Sequence, residues 1–218
     1  MADFARARRT MVDCQVRPAD VTDLRIIAAM LEVPREAYVP ASRRALAYLD
    51  QDVPVSESGR TLLKPAIFAK LVQGANITEM DRVLDVGCAT GYSSAVLARL
   101  AASVVALDED AALVRTASEM AMRSGASNLS VVSGPLASGF AQGGPYDVIV
   151  MEGATEVPPD SLLSQLRDGG RLVAVVGAIP IGKGAIYRMV GGRATMQPMF
   201  EGSARLLPGF AKPPAFVF

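Results

Sequence analysis

Two carboxylates and a turn of small residues carry the chemistry that can be read in this chain. Asp85 sits near the end of the apolar run Val83-Leu84-Asp85-Val86, and Gly87-Cys88-Ala89-Thr90-Gly91-Tyr92 follows at once. Asp108 closes a second apolar run, Val104-Val105-Ala106-Leu107-Asp108, 17 residues after Gly91, and Glu109 stands beside it. A buried strand, a tight glycine turn, a helix and a second strand ending in an acid form a unit that binds an adenosine-containing ligand. The small residues let backbone amides approach the ligand. An acid about 20 residues further on can accept hydrogen bonds from both ribose hydroxyls.

The spacing separates the candidate ligands. A dinucleotide fingerprint runs G-x-G-x-x-G, with the pyrophosphate on the helix N-terminus. Here Gly87 and Gly91 flank Ala89, so the pattern is Asp-x-Gly-x-Ala-x-Gly. It is similar to the Asp/Glu-x-Gly-x-Gly-x-Gly turn of S-adenosylmethionine (SAM) methyltransferases, with one glycine changed to alanine. Asp85 suits the methionine ammonium of SAM and would repel a pyrophosphate. SAM is the expected cofactor, with Asp85, Gly87, Cys88, Ala89, Gly91, Tyr92, Asp108 and Glu109 as its candidate contacts. The plain alternative is a strand-to-helix turn with no ligand. The cofactor reading requires an open crevice at the tips of the first two strands; one filled by the protein's own side chains would leave only a likeness of architecture.

The chain contains no histidine, which excludes Ser-His-Asp and Cys-His catalysis and His-ligated zinc. A general base, if one is needed, must be a carboxylate, Lys, Tyr or Cys. Cys14 and Cys88 lack metal spacing, so no metal is expected, and a reduced cytoplasmic setting is the default. Net charge is zero, which gives no general pull toward nucleic acid or an anionic membrane. The N-terminal Arg6, Arg8 and Arg9 precede no apolar segment of a secretory signal, and no apolar run is long enough to span a bilayer.

The elements that must position these residues fall into three stretches. Residues 1–80 read as a helical cap. A first helix closes between Met11 and Gln15. Thr22 caps a second, with Leu24, Ile27, Ala28 and Leu31 on one face. A short helix covers 41–47 and an extended piece 52–55, and Pro65 opens a helix that turns Ile67, Phe68, Leu71 and Val72 inward. Residues 81–177 alternate strand and helix, with strands at 82–86, 103–108, 129–133, 146–151 and 171–176. A helix around 110–122 has Leu113, Val114, Ala117, Met120 and Ala121 on one face, and a short helix carries Leu162, Leu163 and Leu166. Asp168-Gly169-Gly170 reads as a turn into the last of these strands. Residues 178–218 read as an antiparallel extension of the sheet, and the methionines as core fillers. The expected fold is α/β: a doubly wound, Rossmann-like SAM-methyltransferase sheet with an N-terminal helical cap and a C-terminal antiparallel extension, one compact domain overall.

Further blocks resemble a known family. Gln15-Val16-Arg17, Asp23-Leu24-Arg25-Ile26-Ile27-Ala28-Ala29-Met30 and Val33-Pro34-Arg35-Glu36 are similar to the N-terminal segment of the protein-L-isoaspartate O-methyltransferases. Ala47-Tyr48-Leu49-Asp50, Gly87 to Tyr92, Pro145-Tyr146-Asp147-Val148-Ile149 and Gly169-Gly170-Arg171-Leu172-Val173 resemble its later blocks, so the likeness spans nearly the whole chain. The resemblance implies SAM-dependent methylation of the α-carboxylate of L-isoaspartyl residues in damaged proteins, a protein-repair activity. The partner it implies is a protein or peptide carrying such a residue.

The chain departs from the family at three places. The family's G-x-T-I-S-x-P segment is here Gly59-Arg60-Thr61-Leu62-Leu63-Lys64-Pro65. By resemblance the serine hydroxyl lies beside the acceptor carboxylate, and Leu63 cannot donate there; losing such a partner costs about 1–3 kcal/mol. Lys64 restores the charge match if it points inward, and is otherwise a solvated helix-start residue. The family's third strand ends in G-D-G, whereas here it ends Ser133-Gly134-Pro135, leaving Gly134 and neighbouring backbone to serve the adenine. The family's Ala-Ala after the fourth strand is here Gly153-Ala154, preceded by Glu152, either a base at a strand's carboxyl end or a solvated loop acid. Thr61, Leu63, Lys64 and Glu152 are thus the candidate acceptor-side residues. A methyltransferase of the same fold with a changed acceptor, or a SAM-binding module without turnover, remains an alternative.

Overall fold

The computed structural model describes residues 3–177 and 179–213; Met1, Ala2, Ala178 and residues 214–218, at the margins of the expected stretches, lie outside them. The cap begins with α1 (Phe4–Met11), whose N-terminus is closed by Asp3 accepting from Arg6 N. It continues through a π-type turn at Val12–Val16 and a 3₁₀ turn at Arg17–Ala19. Helix α2 (Leu24–Glu32) is capped by Asp23, which accepts from Arg25 N, and not by Thr22. The amide of Thr22 is instead held by Gln73 Oε1 at 2.7 Å, which binds the start of α2 to a later helix. The buried face differs accordingly: Ile26, Ile27, Ala29 and Met30 pack inward, while Leu24 is 71% exposed and Ala28 also faces out.

Two 3₁₀ turns (Arg35–Tyr38 and Ala41–Leu46) lead to the antiparallel pair β1 (Val53–Pro54) and β2 (Thr61–Leu62). Helix α3 (Pro65–Ala75) starts with proline in its first turn, where the missing N–H has no intrahelical acceptor to lose. It buries Ile67, Phe68, Leu71 and Val72. Arg171 ties its end to the sheet, donating from Nε to Ala75 O and from NH2 to Asp81 Oδ2, each at 2.6 Å.

The main sheet contains β3 (Arg82–Val86), β4 (Ser103–Asp108), β5 (Leu129–Ser133), β6 (Tyr146–Thr155), β7 (Leu166–Val176), β8 (Lys183–Val190) and β9 (Arg193–Glu201). Its order is β5-β4-β3-β6-β7-β8-β9. The pairs from β5 to β7 are parallel, and those of β8 and β9 antiparallel. Helices α4 (Tyr92–Leu97), α5 (Ala111–Ser124) and α6 (Asp160–Leu163) connect the parallel strands. Helix α5 buries Leu113, Ala117 and Met120, and leaves Val114 and Ala121 half-buried.

The chain leaves β3 toward β4 and β5, then returns to place β6 on the other side of β3. That reversal creates the crevice in which doubly wound sheets bind ligands, outside the strands' carboxyl ends.

Strands β6 and β7 are longer than their apolar runs suggest. Strand β6 continues through Glu152 to Thr155, and β7 begins at Leu166, which therefore is not part of α6. Asp168-Gly169-Gly170 is a bulge within β7 rather than a turn before it, with Gly169 at φ +76. Register shifts after Tyr146 and after Val150 absorb the extra length. At the second shift the C-terminal segment joins the sheet. Ala154 N donates to Arg205 O, Leu207 N to Ala154 O, and Glu156 N to Phe210 O. A side chain at position 153 would meet Leu207 and Arg205 O within 2.8 Å, so only glycine allows this approach. The methionines divide: Met11, Met30 and Met151 are core, but Met80, Met122 and Met196 are exposed. No helix of the described residues is long and apolar enough to cross a membrane.

Candidate active site

The turn after β3 has the backbone that the sequence pattern demands. Gly87, Ala89 and Gly91 have φ of +82, +51 and +91. Ala89 holds a left-handed conformation that a Cβ disfavours by about 1–2 kcal/mol, so its position is one where glycine would be easier. Gly91 also lies against α5, where an added Cβ would be 3.3 Å from that of Ala117. Gly87 N and Cys88 N both donate to Leu107 O, which binds the turn to β4. Thr90 Oγ1 donates to Tyr38 O at 2.7 Å and fastens the cap over the turn.

Asp85 is fully buried on β3. Its Oδ2 accepts from Ser93 Oγ at 2.7 Å and from Ser94 Oγ at 2.5 Å, while Oδ1 has no partner among the described residues. Burial pushes its carboxyl up to about 6, against the pull of the two hydroxyls. An uncompensated buried carboxylate oxygen is costly unless a ligand completes it. A cationic ammonium is the partner that would do so.

Asp108, at the tip of β4, is also fully buried. Oδ1 accepts from Glu109 N and Asp110 N; Oδ2 accepts from Ala89 N at 2.8 Å and from Arg60 NH2 at 3.2 Å. Arg60, which the sequence pattern leaves as an unspecified position, is 6% exposed and donates also to Gly87 O at 2.7 Å. A Cβ on Gly87 would lie 2.6 Å from Arg60 NH2. The crevice expected to be open is thus filled by the protein's own Arg60. Beside the turn a cavity lined by Gly87, Cys88 and Ala89, but not by Asp85, Asp108 or Arg60, has a volume of about 10 Å³, room for one water at most. The types of group present fit SAM: an unpartnered acid for the ammonium, a second acid for the ribose, and a turn without side chains between them. The open crevice that the sequence reading required is therefore not met, and the cofactor reading now depends on the flexible Arg60 side chain leaving.

The same cavity gathers part of the predicted acceptor side. Thr61, Leu63 and Glu152 line it with Phe68, Cys88, Ala89, Tyr92 and Arg35. Leu63 is 2% exposed. Glu152 lies one residue past Met151, the partner of Val86, and so directly across the strand reversal from the turn. It is buried within β6, not solvated in a loop, and its Oε1 has no partner among the described residues. Burial, reinforced by Asp85, pushes its carboxyl well above the usual range. Cys88 is buried and its thiol is pushed well up, which leaves it inert.

Six predicted residues do not line the cavity: Asp85, Gly91 and Asp108, described above, and Lys64, Glu109 and Gly134. Lys64 is half-buried at the N-cap of α3, its backbone N donating to Asp52 Oδ1, and it does not line the cavity. Glu109 is exposed and its Oε2 accepts from Leu136 N at 3.4 Å. Gly134 donates its N to Asp108 O.

Arg35 was not foreseen. It is fully buried, its guanidinium 4.6 Å from the Tyr92 ring centre, with Nε on Ala47 O and NH2 on Leu63 O. It holds the chain at Leu63 in place beneath the cap. Its sequence signal is its place in the family-like block Val33-Pro34-Arg35-Glu36. Among the described residues no cluster of three His, Cys, Asp or Glu side chains is arranged for a metal.

Comparison with known proteins gives a consistent result. The family model described as "Protein-L-isoaspartate(D-aspartate) O-methyltransferase (PCMT)" matches residues 7–190. The protein-L-isoaspartate O-methyltransferase of Methanoculleus marisnigri is 39% identical over 172 residues, covering 79% of this chain and 78% of that one. That of Koribacter versatilis is 36% identical over 193 residues, covering 88% and 86%. A solved protein-L-isoaspartate O-methyltransferase superposes with a TM-score of 0.81 at 23% identity, over 93% of this chain and 66% of that one. A Plasmodium falciparum structure titled as a protein-L-isoaspartate O-methyltransferase in complex with S-adenosyl-L-homocysteine gives 0.77 at 18% identity, over 95% and 99%. At those identities the two structures speak for the fold.

Proposed function

The chain belongs to the protein-L-isoaspartate(D-aspartate) O-methyltransferase family, and on that premise we propose that it is a SAM-dependent methyltransferase acting on the carboxylate of isoaspartyl residues in damaged proteins. The observation that carries the reading is Asp85: a buried acid with one oxygen held by two serines and the other unpartnered, beside a turn that only small residues can form.

When bound, SAM supplies a methyl group on a positively charged sulfur, ready for in-line displacement. The chain's own residues bind and orient. Asp85 would hold the ammonium and Asp108 the ribose hydroxyls, and the small residues from Gly87 to Gly91 would let the ligand lie close. Leu63, Phe68 and Tyr92 make the wall that excludes water. An acceptor carboxylate is ionised at neutral pH and needs no base, which agrees with the absence of histidine. Burial and then Asp85 raise the proton affinity of Glu152, which lessens its repulsion of the acceptor. A protonated carboxyl can also donate, and so can stand in for the hydroxyl absent at Leu63.

We place the enzyme in the cytoplasm, where its free thiols Cys14 and Cys88 stay reduced. The zero net charge supports a protein or peptide partner over nucleic acid or membrane. Leu63 at the cavity wall favours one second reading, the same methyl transfer to another acceptor. Labelled SAM with an isoaspartyl peptide tests the first: base-labile counts on the peptide are expected. Their absence at saturating enzyme removes isoaspartate as the acceptor.

A further inference from the structure

We propose that Arg60 is the residue that binds the acceptor's carboxylate, and that it becomes available only when the cofactor's ribose takes its place on Asp108. The inference rests on the carboxylate-acceptor reading above and assigns to it a specificity-determining residue.

The exchange follows from who holds Asp108. Three of its four hydrogen bonds come from the backbone amides of Ala89, Glu109 and Asp110. Those bonds make the turn and the start of α5, and cannot be given up without unmaking the site. The fourth comes from Arg60 NH2, which also covers Gly87 O. Arg60 is therefore the partner that an incoming nucleoside can replace. Its backbone does not need to move: Arg60 N is held by Ser56 Oγ at 3.1 Å, and Arg60 O accepts from Val55 N at 2.9 Å. Only the long side chain must swing.

Charge then decides where it goes. Arg60 and Asp108 form an ion pair with both side chains buried, at 6% and 0% exposure. A ribose is neutral, so when it displaces Arg60 the guanidinium loses its one direct ion pair, while Asp85, Glu152 and Asp110 stay within its field without bonding to it. A buried cation left without one is expensive, and an entering carboxylate removes that expense. A neutral acceptor would not.

The alternatives among nearby cations are excluded by what they already do. Arg35 has Nε and NH2 committed to Ala47 O and Leu63 O, and its guanidinium packs on Tyr92. Lys64 starts α3 with its backbone N on Asp52 and makes no hydrogen bond to Asp108 or to the turn among the described residues. Arg60 retains a buried Nε–H with no partner among the described residues. It also lies one residue from Thr61, in the segment where Leu63 replaces the family's serine. A guanidinium offers a carboxylate two parallel donors where a hydroxyl offers one. Cofactor and acceptor are then coupled, each tightening the other, because both draw on the same displaced side chain.

Calorimetry on the full chain tests this, using S-adenosylhomocysteine, an isoaspartyl peptide, and the same peptide with that α-carboxylate converted to an amide. Arg60→Gln and Arg60→Lys are compared with wild type, their folding checked by circular dichroism. Wild type is expected to bind the isoaspartyl peptide at least tenfold more tightly when saturated with S-adenosylhomocysteine. The amide peptide should show no such gain. Arg60→Gln should bind S-adenosylhomocysteine as tightly as wild type or up to tenfold more tightly, yet lose the gain for the peptide; Arg60→Lys should keep part of it. A folded Arg60→Gln that loses tenfold or more in S-adenosylhomocysteine affinity overturns the exchange. A peptide affinity in wild type that is the same with and without S-adenosylhomocysteine overturns the carboxylate role, as does a gain that survives in Arg60→Gln. If the cofactor-dependent gain appears and depends on Arg60, but no methyl reaches the isoaspartyl peptide from SAM, Arg60 stands as the carboxylate binder. In that case it is the isoaspartyl acceptor that falls.

Discussion

Asp85 on β3 and Glu152 on neighbouring β6 are two buried acids on adjacent strands at the strand reversal, each with one oxygen unpartnered among the described residues, and the first raises the proton affinity of the second. They are held in different states. Asp85 has two serine hydroxyls that favour its charge, and it rises only to about 6, whereas Glu152 is pushed well above its ordinary value. Asp85 is the more readily ionised of the two, and Glu152 is biased toward its protonated, donating form. Environment gives two like residues opposite roles.

Asp85→Asn should weaken S-adenosylhomocysteine binding by at least tenfold in calorimetry. It should also raise the melting temperature of the cofactor-free protein at pH 7. Because its folded value lies above the ordinary 3.8, the folded state holds an extra proton up to about pH 6. The stability this proton provides is complete below the ordinary value and is lost as pH rises through about 6, a loss on the order of 1–3 kcal/mol. Cofactor affinity runs the other way, rising up to tenfold per pH unit until Asp85 ionises. A flat affinity profile between pH 5 and 7 would mean that Asp85 does not meet the ammonium.

Glu152→Gln should keep methyl transfer at pH 7 within a few-fold of wild type, because a primary amide reproduces a neutral, donating carboxyl. Glu152→Ala should lose ten- to a hundredfold, since both the donor and the packing go. Wild-type activity should decline at high pH as Glu152 ionises and repels the acceptor, and Glu152→Gln should not decline. Equal loss in the two variants would show instead that Glu152 works as an ionised base.

Leu63→Ser restores a donor on the cavity wall and should raise kcat/KM for an isoaspartyl peptide by up to tenfold. Removing a leucine that is 2% exposed also leaves a hole beside Phe68 and Tyr92, so stability should drop by about 2–4 kcal/mol in denaturant titrations. Unchanged or lower activity in the folded variant would put the acceptor elsewhere.

Asp108→Ala should reduce S-adenosylhomocysteine affinity by at least one power of ten. It should be more damaging to the fold than a surface substitution, because three backbone amides lose their acceptor. A variant that melts like wild type would contradict the turn-holding role assigned to this acid.

What could be read in the sequence was local. The left-handed turn at Gly87, Ala89 and Gly91 follows from small residues between apolar runs, and the buried faces of α3 and α5 follow from period. What escaped depends on distant partners. Arg60 meets Asp108 across 48 residues, and no spacing rule links an arginine in a cap segment to an acid on a strand tip. Glu152 ends an apolar run, so the strand was expected to stop at Met151. The C-terminal segment at Arg205 to Leu207 carries β6 onward and buries it. Leu24 reads as core from its period, yet the cap on Asp23 and the tie from Gln73 turn it to solvent.

The docking of residues 205–210 beside Ala154 has a practical meaning for anyone redesigning this protein. Leu207 reaches within 3.1 Å of where a Cβ on Gly87 would sit, so the last described stretch of chain helps to shape the nucleotide-side wall. Shortening the chain ahead of Ala204 would remove the buried Leu207 and Phe210 together with the bonds that hold the end of β6, so it would be felt in stability as well as at this wall. A library seeking new acceptors should vary this stretch together with the loop that carries Arg60, because the two press on the same glycine from opposite ends of the sequence.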